Sequence, residues 1–230
     1  MAYFPFYINI ERKRGVVLGG GRIAAGKISA LLPFSPELIC IAPVICGQIE
    51  RMAQEREEVS RKEDGERPGS LHLIRREARK EDLEGAFFVI AATDQKETNA
   101  WAAKLCREKG ILINAVDDRK NCTFYFPALV HSGPVTIGIS TGGCSPAAAS
   151  WLRKETERIV PAGMGNAVER MGKLRERVLE YIPGNLLDQK DRAAVLKKLF
   201  TYCRDKDFLL EDGELEDVLE ALLQEHFRKG

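Results

Sequence analysis

The residues best equipped for chemistry lie in three short stretches, the first of which is a glycine turn. In Gly15-Val-Val-Leu-Gly-Gly-Gly-Arg-Ile-Ala-Ala-Gly-Lys27, Gly19, Gly21 and Ala24 fill the G-x-G-x-x-G/A positions, with Gly20 between the first two. Gly19 permits a tight turn, Gly21 lets the backbone approach a pyrophosphate, and Ala24 lets the next helix lie close to a sheet. Free N–H groups at the helix start would then face the anion. The motif alone is weak, but an apolar run precedes it, and Ile23, Ile28, Leu31 and Leu32 follow at helical spacing. The competing reading is a glycine-rich turn that binds no dinucleotide. One departure sits at the end of the second strand, where a ribose-binding acid is expected about 20 residues on. The chain reads Cys40-Ile41-Ala42-Pro43-Val44 there, so this feature does not separate NAD from NADP.

The second stretch is Ala91-Ala92-Thr93-Asp94, with Asn99 on the helix that follows. Loops after parallel strands receive ligands, which makes Ala92, Thr93 and Asp94 cofactor candidates. Capping of the helix beginning near Glu97 is the structural alternative. The third is Asn114-Ala115-Val116-Asp117-Asp118, with two acids where the chain leaves the parallel pattern. A carboxylate there can accept a proton beside a hydride acceptor; the alternative is a pair of solvated loop acids.

The elements that must carry these residues follow from periodicity. Short β-rich runs at residues 16–18, 38–41, 71–74, 87–91 and 111–115 alternate with helical patterns, which predicts a parallel, doubly wound α/β sheet. Residues 49–70 are dominated by charge and end in Pro and Gly, as a solvated helix followed by a loop would. Two β-like stretches, 124–126 and 135–139, flank the turn His131-Ser132-Gly133-Pro134 and predict an antiparallel excursion. Ser145-Pro146 reads as an N-cap with proline at the first helical position. From there to Gly230 the pattern is helical, with interruptions near Pro161, Pro183-Gly184 and Asp212-Gly213. The expected organisation is a Rossmann-type dinucleotide-binding domain over 1–115, a hairpin and active-site region over 116–150, and a helical domain over 151–230.

Composition narrows the function classes. With 230 residues, 44% of them apolar, the chain can bury one large or two modest cores. Lys plus Arg number 35 against 34 Asp plus Glu, a formal charge of +1, which argues against a nucleic-acid or membrane-surface protein. The opening residues meet Glu11-Arg12-Lys13-Arg14 too soon for a secretory segment, and no run approaches the ~18 apolar residues of a membrane span, so a cytoplasmic location is expected. Cys40, Cys46, Cys106, Cys122, Cys144 and Cys203 lack zinc or redox spacing and read as free thiols of a reducing compartment. His72, His131 and His226 are scattered, and no metal site is assigned.

Five segments in order, YFPFYINIERKRGVVLGGGRIAAGK, AATDQKETN, INAVDDRKNCTFYFPALV, IGISTGGCSP and WLRKETERIVP, together spanning residues 4–161, resemble the successive motifs of the precorrin-2 dehydrogenase family, which includes the dehydrogenase module of sirohaem synthase. The resemblance implies NAD-dependent oxidation of precorrin-2 to sirohydrochlorin. It implies Asp117 as the catalytic residue, and cofactor contacts from Gly19, Gly20, Gly21, Arg22, Ile23, Pro43 and Val44. It also implies substrate contacts from Asn114 and from Thr141, Gly142, Gly143 and Ser145, at a helix start suited to a carboxylate. Arg119, Lys120 and Arg153 lie nearby and read as surface charges. The family pattern implies a homodimer interlocked through the hairpin and C-terminal helices, with helix 168–181 and the amphipathic tail 215–227 as partners in that burial. Two other readings stand beside it: a bifunctional enzyme that also inserts iron into sirohydrochlorin, and a module that senses a dinucleotide without turnover. The chain departs from the pattern at Gly26-Lys27, where Arg-Lys is frequent, and residues 162–230 match only in being helical.

Overall fold

The computed structural model describes residues 4–62, 69–180 and 189–229. Their contacts divide the chain into two compact units, Tyr3–Phe126 and Pro127–Gly230.

The first unit is built on five parallel strands: β1 (Arg14–Leu18), β2 (Glu37–Ile41), β3 (Leu71–Ile74), β4 (Phe88–Ala91) and β5 (Leu112–Ala115). Their spatial order is β3-β2-β1-β4-β5, so the winding reverses between β1 and β4, and the carboxyl ends of those two strands are where such a sheet receives a ligand. Strand alternation sends Val17, Cys40 and Ile90 to one face, where α1 (Arg22–Leu31) and α2 (Gly47–Lys62) cover them with Ala25, Ile28 and Ile49. Val16, Leu18, Val89 and Ile113 point to the other face, against α3 (Lys96–Glu108) with Ala102, Ala103 and Cys106. Helices on both faces are why these strands read as continuous apolar runs. The charged stretch after β2 forms the outer side of α2 as far as Lys62, as its composition predicts, and the loop expected before residue 70 lies mostly outside the described residues.

The second unit begins with an antiparallel hairpin, β6 (Ala128–Ser132) paired with β7 (Val135–Ile139) across the two-residue turn Gly133-Pro134. The expected strand at 124–126 is not formed. Phe124 and Phe126 instead pack against the α1 face of the sheet in the first unit, so their aromatic character serves a core rather than a ladder. The hairpin turn lies close to the helix that begins at Met164: a Cβ on Gly165 would stand 2.6 Å from Ser132.

Four helices follow: α4 (Pro146–Ile159), α5 (Met164–Glu180), α6 (Gln189–Asp205) and α7 (Glu214–Lys229). Leu174, Val178, Leu199, Leu215 and Leu219 are fully buried together with Cys203. The apolar stripes of α5 and α7, expected to be buried against a partner subunit, are thus covered by α6 and by each other. The breaks near Pro161 and Asp212-Gly213 separate helices as read; the break at Pro183-Gly184 lies outside the described residues. Among the described residues no helix is long and apolar enough to cross a membrane.

Candidate active site

The glycine turn follows directly from β1. Gly19 takes φ +115°, and a Cβ there would stand 2.3 Å from the Ala92 carbonyl oxygen, so β1 and β4 approach at this point as only glycine allows. Gly20 is equally tight on the other side, where a Cβ would lie 2.1 Å from the Val44 carbonyl oxygen; its own carbonyl accepts from the Cys46 N–H at 2.8 Å. These contacts draw the loops after β2 and β4 onto the turn. Gly21 differs, because nothing lies within 4 Å of where its Cβ would be. It is the N-cap of α1 with no side-chain cap, so the helix start keeps amides that an anion could meet. Ile23 and Val44 stay 54% and 81% exposed beside this turn, next to exposed Arg22 and Pro43. Ala24 is fully buried under the sheet, as its place in the motif requires.

Cys40, which sequence reasoning assigned no role, supports the turn. Its Sγ donates to the Gly19 carbonyl oxygen at 3.4 Å. Burial, with Cys46 second, pushes the thiol up to about 12, so it keeps the proton it donates.

After β4, Thr93 and Asn99 lock the loop. Thr93 Oγ1 donates to Asn99 Oδ1 at 2.7 Å, the Thr93 N–H donates to the same oxygen at 3.2 Å, and Asn99 Nδ2 donates to the Thr93 carbonyl at 3.0 Å. Gln95, not Thr93 or Asp94, occupies the N-cap of α3, and Asp94 is exposed at the mouth.

Asp117 stands two residues past β5, exposed and in the left-handed region at φ +60°. Asp118 is half-buried, and its carboxylate accepts from Asn121 Nδ2. The two acids therefore differ: Asp118 braces its own loop, while no described residue hydrogen-bonds the Asp117 carboxylate. Asn114 is buried, and its amide donates to the Phe124 carbonyl at 3.0 Å, which places it in the scaffold of the loop. Lys27 is a further cation in this unit that spacing did not single out. Its Nζ lies 4.0 Å from the centre of the Phe126 ring, and burial lowers its pKa, partly offset by Cys122 nearby.

Comparison with known families decides the lineage. The family described as "Putative NAD(P)-binding" matches residues 6–128, more than half of the chain, and that described as "Sirohaem biosynthesis protein central" matches residues 132–158. The chain belongs to this NAD(P)-binding family. Among its relatives, the siroheme synthase of Photorhabdus laumondii is 32% identical over 182 residues, covering 79% of this chain and 36% of the relative. The siroheme synthase of Sodalis glossinidius is 31% identical over 224 residues, 97% of this chain and 44% of the relative, so the likeness extends into the helices after residue 161. The chain spans about a third to just under half of these curated relatives. Among solved structures, "SirC, precorrin-2 dehydrogenase" aligns over 98% of this chain and all of its own, with a TM-score of 0.67 and 17% identity, a likeness of fold.

The residues that resemble the sirohaem biosynthesis family, 132–158, include the second unit's glycine loop, a preformed turn. Gly142 and Gly143 are both left-handed, at φ +59° and +75°. Thr141 Oγ1 donates to the Ser145 carbonyl at 3.1 Å, the Ser145 N–H lies 3.3 Å from Thr141 Oγ1, and the Gly142 N–H donates to Ser140 Oγ at 3.2 Å. Ser145 Oγ caps α4 by accepting from the Ala148 N–H at 3.1 Å, as Ser-Pro spacing predicts. Arg153 pairs with Glu157 on the same helix, and His131 Nδ1 lies 3.2 Å from Thr136 Oγ1 across the hairpin. On α4, Trp151, Leu152 and Ile159 are exposed, an apolar stripe that i, i+1, i+8 spacing would have revealed.

Proposed function

We propose that this chain catalyses the NAD-dependent dehydrogenation of precorrin-2 to sirohydrochlorin in the cytoplasm, with Asp117 as the proton acceptor. The observation that carries the reading is the conjunction, within one unit, of an uncapped helix start behind the Gly19–Gly21 turn and, on the turn after β5, a carboxylate that no described residue hydrogen-bonds. The named relatives support the substrate: two siroheme synthases and a precorrin-2 dehydrogenase of the same fold.

The residues fit a dinucleotide. The amides after Gly21 suit its pyrophosphate, and Ile23, Val44 and Pro43 offer apolar surface beside it, with Arg22 adding charge. Ala92, Thr93 and Asp94 line the β4 side of the same mouth, which Asn99 holds rigid. When bound, the cofactor supplies the hydride acceptor. The substrate gives up a hydride and a proton for each molecule of NAD consumed, and the proton goes to an Asp117 carboxylate oxygen. An exposed acid with no hydrogen-bond partner among the described residues is free to take it. Thr141, Gly142, Gly143 and Ser145 contribute substrate contacts in this reading as a prefolded turn, whereas Asn114 acts from beneath as scaffold. A homodimer fits the exposed α4 stripe of Trp151, Leu152 and Ile159.

The test is anaerobic incubation with enzymatically generated precorrin-2 and NAD, following sirohydrochlorin and NADH by absorbance, with Asp117→Asn in parallel. The wild type forms both products, and the variant loses about 10²–10⁴-fold in kcat with dinucleotide affinity retained. Product from both proteins removes Asp117 from the mechanism. Product from neither, with tight NAD binding, points to a sensing module.

A further inference from the structure

Asp117 holds a conformation that a side chain resists, on a loop at the free edge of a sheet, and something must fix it there. No described residue grips its carboxylate, so its position depends on the backbone alone. The Val116 N–H donates to the Ala91 carbonyl at 2.9 Å and the Asp118 N–H to the Ala115 carbonyl at 3.3 Å, closing the turn on its strand side. A left-handed non-glycine residue persists where its surroundings over-determine it.

The surroundings come from the segment that returns after the loop. β5 pairs only with β4, so the N–H groups of Ile113 and Ala115 point out of the sheet edge. Both are met by side chains instead of another strand. The Ile113 N–H donates to Thr123 Oγ1 at 2.8 Å and the Ala115 N–H to Cys122 Sγ at 3.2 Å. The thiol in turn donates toward the Ala115 carbonyl, 3.1 Å away, and the Asp118 carbonyl, 3.2 Å away. One sulfur thus joins the residues on the two sides of Asp117. Asn114 ties the next residue down through the Phe124 carbonyl. We infer that Cys122, aided by Thr123 and Asn114, is a positioning residue that clamps the Asp117 turn in its reactive geometry. Burial pushes the Cys122 thiol above its ordinary value, so it remains the protonated donor that this clamp needs.

The inference rests on Asp117 being the proton acceptor, and two readouts separate it from that reading. The full-length Cys122→Ala protein loses kcat about 10–100-fold, while KM for NAD stays within about twofold, because the loss is one of alignment. Cys122→Ser, which keeps a donor and an acceptor, recovers most of that kcat at unchanged dinucleotide affinity. Hydrogen exchange, which needs no substrate, shows faster exchange of the amides at 113–118 in Cys122→Ala and unchanged exchange at the Gly19–Gly21 turn. Unchanged exchange at 113–118 overturns the clamp even if the wild type proves inactive on precorrin-2. Two kinetic outcomes also overturn it: a kcat loss matched by an equal rise in KM for NAD, or a Cys122→Ser enzyme as poor as Cys122→Ala.

Discussion

The two units spend glycine and apolar residues in opposite ways. In the first, glycines bring three loops onto one mouth, and apolar side chains such as Ile23 and Val44 are left in the open beside it, where a ligand can cover them. In the second, the apolar stripes of α5 and α7 close on α6 within the chain, and the glycine loop before α4 is braced by its own hydroxyls. In the proposed function the exposed apolar side chains beside the first unit's uncapped helix start await a dinucleotide, whereas the exposed α4 stripe of Trp151, Leu152 and Ile159 in the second unit awaits another subunit.

Substitutions can break this contrast, starting with the largest effect. Leu199→Ala removes a fully buried side chain from the centre of the helical core and should cost about 2–5 kcal/mol in unfolding of the second unit. Denaturant titration followed by helix signal measures it. NAD affinity unchanged within error would keep the ligand site in the first unit, and a matching loss would break the contrast. Gly19→Ala is next, since its Cβ meets the Ala92 carbonyl and its φ is closed to alanine. It should destabilise the first unit by more than about 1 kcal/mol and abolish measurable dinucleotide binding, read by NADH fluorescence titration. Retained affinity would mean that the turn is structural only.

The smallest effect sharpens the electrostatic difference. Glu214, at the start of α7, is pushed down to about 2 by the Tyr202 hydroxyl, the Glu211 N–H and Lys206. An acid whose pKa is depressed by folding stabilises above its ordinary value of 4.5, and that contribution is lost as pH falls through about 2. Glu214→Gln should therefore flatten the acid dependence of the second unit's melting between pH 4.5 and 2 and lower its midpoint at pH 7. Parallel pH curves for variant and wild type would show that the group carries none of that dependence.

Much of the fold was legible because its signals are local. Each of the five parallel strands lies within two residues of its apolar run, and Ser145-Pro146 caps α4 as its types dictate. Residues 124–126 misled because aromatic runs suit strands and packed loops alike. The amphipathic stripes of α5 and α7 announced that a face would be buried but not what would bury it. Asn114 was legible as a polar residue at a strand end, and only its hydrogen bond to the Phe124 carbonyl turned a candidate ligand contact into a brace.

By itself the sequence determined the glycine turn, the alternation that makes a doubly wound sheet, and the acid pair after β5, since each depends on residue type at short spacing. Tertiary structure decided the roles. It separated Asp117 from Asp118 by giving one a partner and leaving the other open. It made Cys40 and Cys122 props of the glycine turn and of the loop after β5. Such choices rest on contacts between side chains and the backbone of neighbouring strands and loops, and the geometry of those contacts exists only once the sheet has closed.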